Sequence, residues 1–386
     1  MKLDTGLSAW LGQVRRELHM HPELSLQEER TTAHILELLA EMGVEAAPLE
    51  GMTGAVGLIP GAAPGPCLAI RADIDALPIT EQSGAPYASQ NPGAMHACGH
   101  DAHTAILLGV ALEVNTSGLA ARMKGSLKLI FQPAEETGQG ARMMVEQGVM
   151  EGPKVDRVIA AHVAPKAAAG QVGIIHGQSH ASNDIFSLRI RGKGAHGARP
   201  QDGVDPIVAA AHLVSALQSV VARNLDPMQA GVITVGRLVA GAASNVIPDL
   251  AELDGCIRAM NRPAQELLQR RLRELVAGLD QAMGTASELE ISEVFPSLHN
   301  DPDVAAFMQR AAEAVVGKAN VYQAQPVTGS EDFSFFTAAA PGAMIRLGCA
   351  RPGQSTALHS SSFDLDEAVL PCGVAVFMRA VRDYLT

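Results

Sequence analysis

At 386 residues the chain is longer than one ordinary hydrophobic core organises, so two domains are expected. With 47% hydrophobic and 18% charged residues, the composition excludes a disordered chain and fits a well-buried soluble protein. A net charge of −12 with no basic run argues against a nucleic-acid partner, although a few local arginines still allow an anionic ligand.

The opening stretch MKLDTGLSAWLGQVRRELH places Leu7, Trp10, Leu11, Val14 and Leu18 at helical spacing, with acids and bases interspersed. That pattern predicts an amphipathic helix rather than a signal peptide. Thr32 to Met42 predicts a second helix. GPCLAIRADIDALP then reads as a buried strand that leaves its sheet at acids and a proline, and GSLKLIFQPAEE and VDRVIAAHVAP repeat that form. Asp101 to Val114 and Ala141 to Gly148 read as helices between them. This alternation predicts an α/β domain with a mostly parallel sheet, whose polar residues converge at the C-terminal strand ends.

From Ser182 the texture changes. DIFSLRIRG alternates apolar and polar residues; a helix follows from Pro206 to Val221, then strands AGVITVGRLV and AELDGCIRAM, a helix from Gln265 to Met283, and strand SELEISEV. That βαββαβ order is the ferredoxin-like pattern, an antiparallel sheet with two helices on one face. After Phe295 the α/β style returns with PGAMIRLGC and a closing helix around Val369 to Tyr384. The expected layout is a catalytic domain from 1–181 and 296–386, with 182–295 inserted. The five cysteines, Cys67, Cys98, Cys256, Cys349 and Cys372, are scattered and odd in number, unlike a disulfide framework. No apolar run reaches the roughly 18 residues of a membrane span, so a cytoplasmic address is expected and no membrane partner.

The groups with chemical potential cluster at the predicted strand ends: Asp73 and Asp75, Glu135 and Glu136, His162, and His359 in ALHSSSF. Adjacent carboxylates on an extended segment point in different directions, so one can bind a metal while the other faces a water. Cys98 and His100, two apart in an extended loop, can pinch one cation. Cys, His and Glu together suit zinc, with manganese, cobalt or nickel as alternatives. Taken singly, each has a plainer reading: a small buried hydrophobe for Cys98, a solvated helix start for Glu135 and Glu136, a core histidine for His162.

In order along the chain, LHMHPELS, RADIDALP, MHACGHDAHTAILLG, IFQPAEE, AHVAP, GAHGARPQDGVDP, NVIPD, GSEDFSFF and LHSSSF resemble the motifs of the metal-dependent amidohydrolases. That family includes hippurate hydrolases, auxin-conjugate hydrolases and N-acetyl-diaminopimelate deacetylases. The resemblance implies a zinc-exopeptidase-like catalytic domain with an inserted ferredoxin-like α+β dimerisation or lid domain. It implies two divalent metal ions (Zn, Mn, Co or Ni) held by Cys98, His100, Glu136, His162 and His359, with the thiolate bridging. Glu135 matches the general base that activates a water, and Asp75 a supporting acid. His196 matches a histidine that reaches the neighbouring site of a homodimer and polarises the scissile carbonyl; Asn245 and Arg258 match substrate-holding groups. The implied reaction hydrolyses N-acyl amino acids to a carboxylic acid and a free amino acid, with small peptides as the nearest variant.

Two positions depart from the family pattern. Gln201-Asp202 stand where many relatives carry a histidine, and His180 where an apolar residue, commonly Met, is usual. Both bear on acyl-group specificity more than on catalysis. His19 and His21 read as packing and capping residues, and Asp101, His103, Glu331 and Asp332 as supports near the site. Two readings of another kind stand beside the leading one. A cysteine-nucleophile amidase, with His100 as the base of Cys98, leaves Glu135, Glu136, His162 and His359 without roles. A non-catalytic binding protein on this scaffold is expected to have lost the base or a ligand, and here all are present.

Overall fold

The computed structural model describes residues 5–351, 353 and 357–386. The first four residues of the predicted N-terminal helix lie outside the described residues. In chain order the elements begin with α1 (Thr5–Met20), α2 (Glu29–Glu41), β1 (Glu45–Pro48), β2 (Ala55–Pro60), β3 (Ala63–Asp73) and α3 (His100–Thr116). Next come β4 (Lys124–Gln132), α4 (Gly140–Glu146), β5 (Arg157–Ala168), β6 (Val172–Ile174), β7 (Gly177–His180), β8 (Asn183–Arg191) and β9 (Ala195–His196). They continue with α5 (Pro206–Asn224), β10 (Gly231–Ala240), β11 (Val246–Ile247), β12 (Leu250–Ala259), α6 (Arg262–Met283), β13 (Ala286–Phe295) and β14 (Leu298–Asn300). The chain closes with α7 (Pro302–Val316), β15 (Val321–Gln323), α8 (Phe333–Ala339), β16 (Gly342–Ala350) and α9 (Val369–Leu385).

These elements form two compact units. The first comprises the described residues up to Gly177, with Asn300–Gln325 and Asp332–Thr386. Its eight-stranded sheet has the order β1-β2-β4-β3-β5-β16-β6-β15. The centre is parallel, β4 to β3, β3 to β5 and β5 to β16. Antiparallel pairs enter at the flanks, β1 with β2, β2 with β4 and β16 with β6, so the sheet is mixed around a parallel core. Leu68 and Ile70 of β3, Leu127 and Leu129 of β4 and Ile159 of β5 are buried. Inaccessibility on both faces explains why these strands read as continuous apolar runs. Helix α3 is inside as well, buried from His100 to Ala111. On α1 the residues at helical spacing, Leu7, Leu11, Val14 and Leu18, all join the core.

The second unit comprises Gln178–His299 and Pro326–Glu331. Its antiparallel sheet runs β10-β12-β8-β13, the ferredoxin-like order. Strand β8 alternates buried and exposed residues, with Phe186, Leu188 and Ile190 turned to the core against Leu213 and Leu217 of α5 and Leu268 and Leu272 of α6. Both helices start where the sequence supplies a cap followed by proline. Asp205 accepts the amides of Ile207 and Val208, and Asn261 that of Ala264. By length and composition α5 is apolar enough to cross a membrane, contrary to the expectation that no run is. It buries Ala209, Ala210, Leu213, Leu217 and Val220 in this core instead.

Candidate metal centre

The first unit gathers its polar residues where the central strands end. Asp73 closes β3; Glu135 and Glu136 lie in the turn between β4 and α4; His100 opens α3. His162 lies within β5, which continues to Ala168 and does not end at the histidine as the sequence suggested. His359 precedes α9, with its backbone in the left-handed region (φ 61°) and its amide donating to Ala97 O at 2.9 Å.

Two sequence expectations about local backbone are corrected. Cys98 and His100 do not share an extended loop: Gly99 between them is left-handed (φ 87°) and caps α3. A Cβ on Gly99 would sit 2.6 Å from Val163 Cγ2, so only glycine lets this turn approach β5. Nor are Glu135 and Glu136 extended. The Gly138 amide donates to Glu135 O at 2.8 Å, which closes a turn, and the turn rather than strand alternation separates the two carboxylates.

All five predicted ligands come together, as two triads that share Cys98. One is Cys98, His100 and His162; the other is Cys98, Glu136 and His359, and within each the donor atoms lie within 4.8 Å of one another. Cys98 Sγ is 3.4 Å from His162 Nε2, and His359 Nε2 is 3.4 Å from Glu136 Oε1. Glu135 is adjacent, its Oε2 4.0 Å from His100 Nε2.

The ring hydrogen bonds fix which nitrogens face inward. His100 donates Nδ1–H to Asp75, whose carbonyl oxygen is 2.9 Å and carboxylate oxygen 3.1 Å away. His162 donates Nδ1–H to Val163 O at 2.8 Å. Each ring therefore turns its Nε2 toward the other donors, the orientation of metal-binding imidazoles. His100 Nε2 and Glu136 Oε1 are buried without a hydrogen-bond partner. Two such atoms of complementary use, in a pocket of thiol, imidazole and carboxylate, fit a borderline divalent cation.

The electrostatics agree. Burial opposes the imidazolium of His100, yet Asp73 beside it holds its pKa well above the ordinary value. The carboxylates around that ring favour a positive charge at its Nε2, whether a proton or a cation in its place. Burial depresses His162 well below the ordinary range. It also pushes the Cys98 thiol up to about 12, which leaves a protonated sulfur and disfavours Cys98 as an unaided nucleophile.

Asp75 supports two candidate ligands at once. Besides His100, its Oδ2 accepts the Glu136 amide at 3.0 Å and the Ser25 hydroxyl at 2.7 Å. His103 donates Nδ1–H to Asp73 at 2.5 Å and accepts the Val163 amide on Nε2 at 2.9 Å. Asp101 pairs with Arg15 at 2.7 Å and His19 at 2.8 Å. Asp332 accepts from Arg71, Gln132 and the Ala141 amide.

The remaining predicted residues belong to the second unit. His196 pairs with Val246 between β9 and β11, beside Asn245, and its Nδ1 accepts the Ala198 amide at 3.0 Å. Arg258 on β12 donates to Ser330 Oγ at 2.9 Å and to Thr328 O at 3.3 Å. His180 is buried, 3.0 Å from Ser179 Oγ, not packed as a simple apolar substitute. Ser25 and Glu28, which contact the site's backbone and carboxylates, carry no sequence signal, since their partners lie 50 and 106 positions away.

Comparison with known proteins gives a consistent set of relatives. Residues 69–383 match the peptidase family M20/M25/M40. N-acetyl-L-cysteine deacetylase of Bacillus subtilis (strain 168) is 39% identical over 359 residues, covering 92% of this chain and 84% of that protein. Thermostable carboxypeptidase 1 of Saccharolobus solfataricus is 37% identical, covering 94% of this chain and 92% of its own length. The solved structure of a Bacillus subtilis protein described as a dinuclear metal binding peptidase from the M20 family superposes with a TM-score of 0.87. It shares 35% identity and covers 99% of both chains.

Proposed function

The chain belongs to the peptidase family M20/M25/M40, a family of hydrolases, and from that premise we propose that it cleaves N-acyl amino acids, with acetyl, benzoyl or similar acyl groups, to a carboxylic acid and a free amino acid. The observation that carries this reading is the pair of donor triads sharing Cys98, with Glu135 beside them. Two triads with one common thiol would hold two divalent ions, Zn, Mn, Co or Ni, Cys98 with His100 and His162 at one and Cys98 with Glu136 and His359 at the other. The dinuclear relative supports that count. A divalent ion bound here supplies Lewis acidity, lowering the pKa of a water from about 15.7 toward about 7 and polarising the substrate carbonyl.

The chain's own groups do the rest. Glu135 takes the proton of the attacking water on its carboxylate and delivers it to the leaving amine nitrogen. Asp75 fixes the ring of His100 and the amide of Glu136. His196, whose Nδ1 accepts the Ala198 amide, carries its proton on Nε2 and offers that donor to the developing oxyanion. Arg258 pairs with the free carboxylate of the substrate, and Asn245 adds a polar contact. A homodimer through the inserted domain brings His196 to the neighbouring site. Exposed Val232, Leu238 and Val239 on the edge strand β10 support an interface there. The free cysteines accord with a reducing cytoplasm. Small peptides are the second reading, favoured by the carboxypeptidase relative.

The test is release of free amino acid from N-acetyl, N-benzoyl and N-indoleacetyl amino acids and from dipeptides. Protein stripped with EDTA is assayed before and after addition of Zn, Mn, Co or Ni. Metal-restored cleavage of the acyl amino acids supports the proposal, and restored cleavage of dipeptides alone supports the second reading. Cleavage that survives stripping, or none with metals bound, overturns both.

A further inference from the structure

The turn that carries Glu135 and Glu136 has a strained backbone. Ala134, directly before them, sits in the left-handed region with φ 52°, which a residue with a Cβ adopts only when its surroundings hold it there. The group that holds it is remote in sequence. Glu28 is fully buried, its side chain forms no cap on its own helix, and its Oε1 accepts the Ala134 amide at 2.8 Å.

Glu28 is itself fixed. Its Oε2 accepts the Thr53 hydroxyl at 2.5 Å, and Thr32, one turn along α2, accepts the Gly54 amide on its hydroxyl at 2.8 Å. Gly54 is left-handed (φ 96°), and a Cβ there would meet Pro133 Cδ at 2.6 Å. The first turn of α2 and the 53–54 segment thus brace the Pro133-Ala134 peptide. On the far side of Glu135, the Glu136 amide is held by Asp75. Two buried carboxylates grip the amides that flank Glu135.

We propose that Glu28 is a positioning residue: by holding Ala134 in its left-handed conformation it aims the Glu135 carboxylate, while Asp75 separately secures Glu136. This rests on the reading of Glu135 as the base. Without the acceptor the peptide relaxes toward an ordinary conformation and Glu135 moves, whereas Glu136 keeps its own anchor. Displacement of a reacting group by about 1 Å costs on the order of 100-fold in rate.

The experiment compares E28Q, which keeps an acceptor for the Ala134 amide, with E28M, which keeps the length but not the acceptor. Expected are kcat within about threefold of wild type for E28Q and a loss on the order of 100-fold for E28M. KM and the metal content per chain stay unchanged in both. If E28M does not fold, E28D, which withdraws the carboxylate from the amide, carries the same comparison. A134G gives a readout independent of activity. Glycine relieves the strain at φ 52°, so it raises the Tm of wild type, and it raises it less in E28M, where the peptide has already relaxed. Unchanged kcat in folded E28M, loss of metal in step with activity, or an equal Tm gain in both backgrounds overturns the proposal. Failure of the Glu135 assignment appears separately, as an E135Q variant that still turns over.

Discussion

His103 Nε2 accepts the backbone amide of Val163 at 2.9 Å, one residue beyond His162. With its other nitrogen engaged by Asp73, the ring of His103 has no lone pair left for a cation, although Asp73, His100 and His103 lie close enough to suggest a third ligand set. H103A should therefore weaken metal affinity about 10- to 100-fold, the scale of an outer-sphere support, with the same number of ions bound at saturation. Competition against a chelator measures both quantities. Loss of one ion per chain at saturation would make His103 a ligand.

Asp75 links two candidate ligands through one carboxylate, so D75N should disturb both. The amide keeps one acceptor and presents a donor to either His100 Nδ1–H or the Glu136 N–H, where an acceptor is needed. A drop in metal affinity of about 10- to 100-fold is expected. S25A removes only one charge-assisted hydrogen bond to the same oxygen and should cost about 1.5–3 kcal/mol of stability, read from denaturant unfolding. If S25A proves as damaging to metal binding as D75N, the carboxylate is not the organising group.

E135Q keeps the shape of the site while removing the proton acceptor. Metal content should stay at the wild-type level, and kcat should fall by about 10²- to 10⁴-fold. Metal analysis with steady-state kinetics on the same preparation decides it; wild-type turnover with full metal would sink the role of Glu135.

His19 predicts a pH dependence of stability outside the metal centre. It is buried with Nδ1 2.8 Å from Asp101 and Nε2 3.3 Å from Glu81, while Arg15 lies 3.3 Å away and the rings of Tyr87 and His96 pack near it. Burial disfavours its cation, but Asp101 and Glu81 outweigh that and raise its pKa above the usual value. A raised pKa in the fold means a stabilisation fully present below about pH 6.5, the value in an unfolded chain, and lost as pH rises through the folded value. The Tm advantage of wild type over H19Q should be greatest near pH 6 and shrink toward pH 9. A constant difference across that range would show that no proton is involved.

The predicted elements survive because their signals are local. The apolar runs of β3, β4 and β5, the spacing on α1 and the caps Asp205 and Asn261 depend on neighbours within a few residues. The five candidate ligands are legible for another reason: quoted together, ACGHDAHT, QPAEE, AHVAP and LHSSSF resemble one family arrangement, whereas periodicity alone reads Cys98 as a buried hydrophobe.

Backbone conformation at the site was not legible. Nothing in CGH or PAEE separates an extended segment from the left-handed Gly99 and Ala134, because those dihedrals are imposed by contacts with Val163 and Glu28. Support residues were hidden for the same reason: a carboxylate that holds a ligand's amide needs only distance and direction. Element types and family thus follow from the chain's local composition and motif order, which also single out the candidate donor residues. Only the tertiary structure decided which imidazole nitrogens face inward, that Cys98 is common to both triads, and that Glu28 and Asp75 flank Glu135. Those relationships arise from hydrogen bonds between segments that meet only when the sheet is assembled.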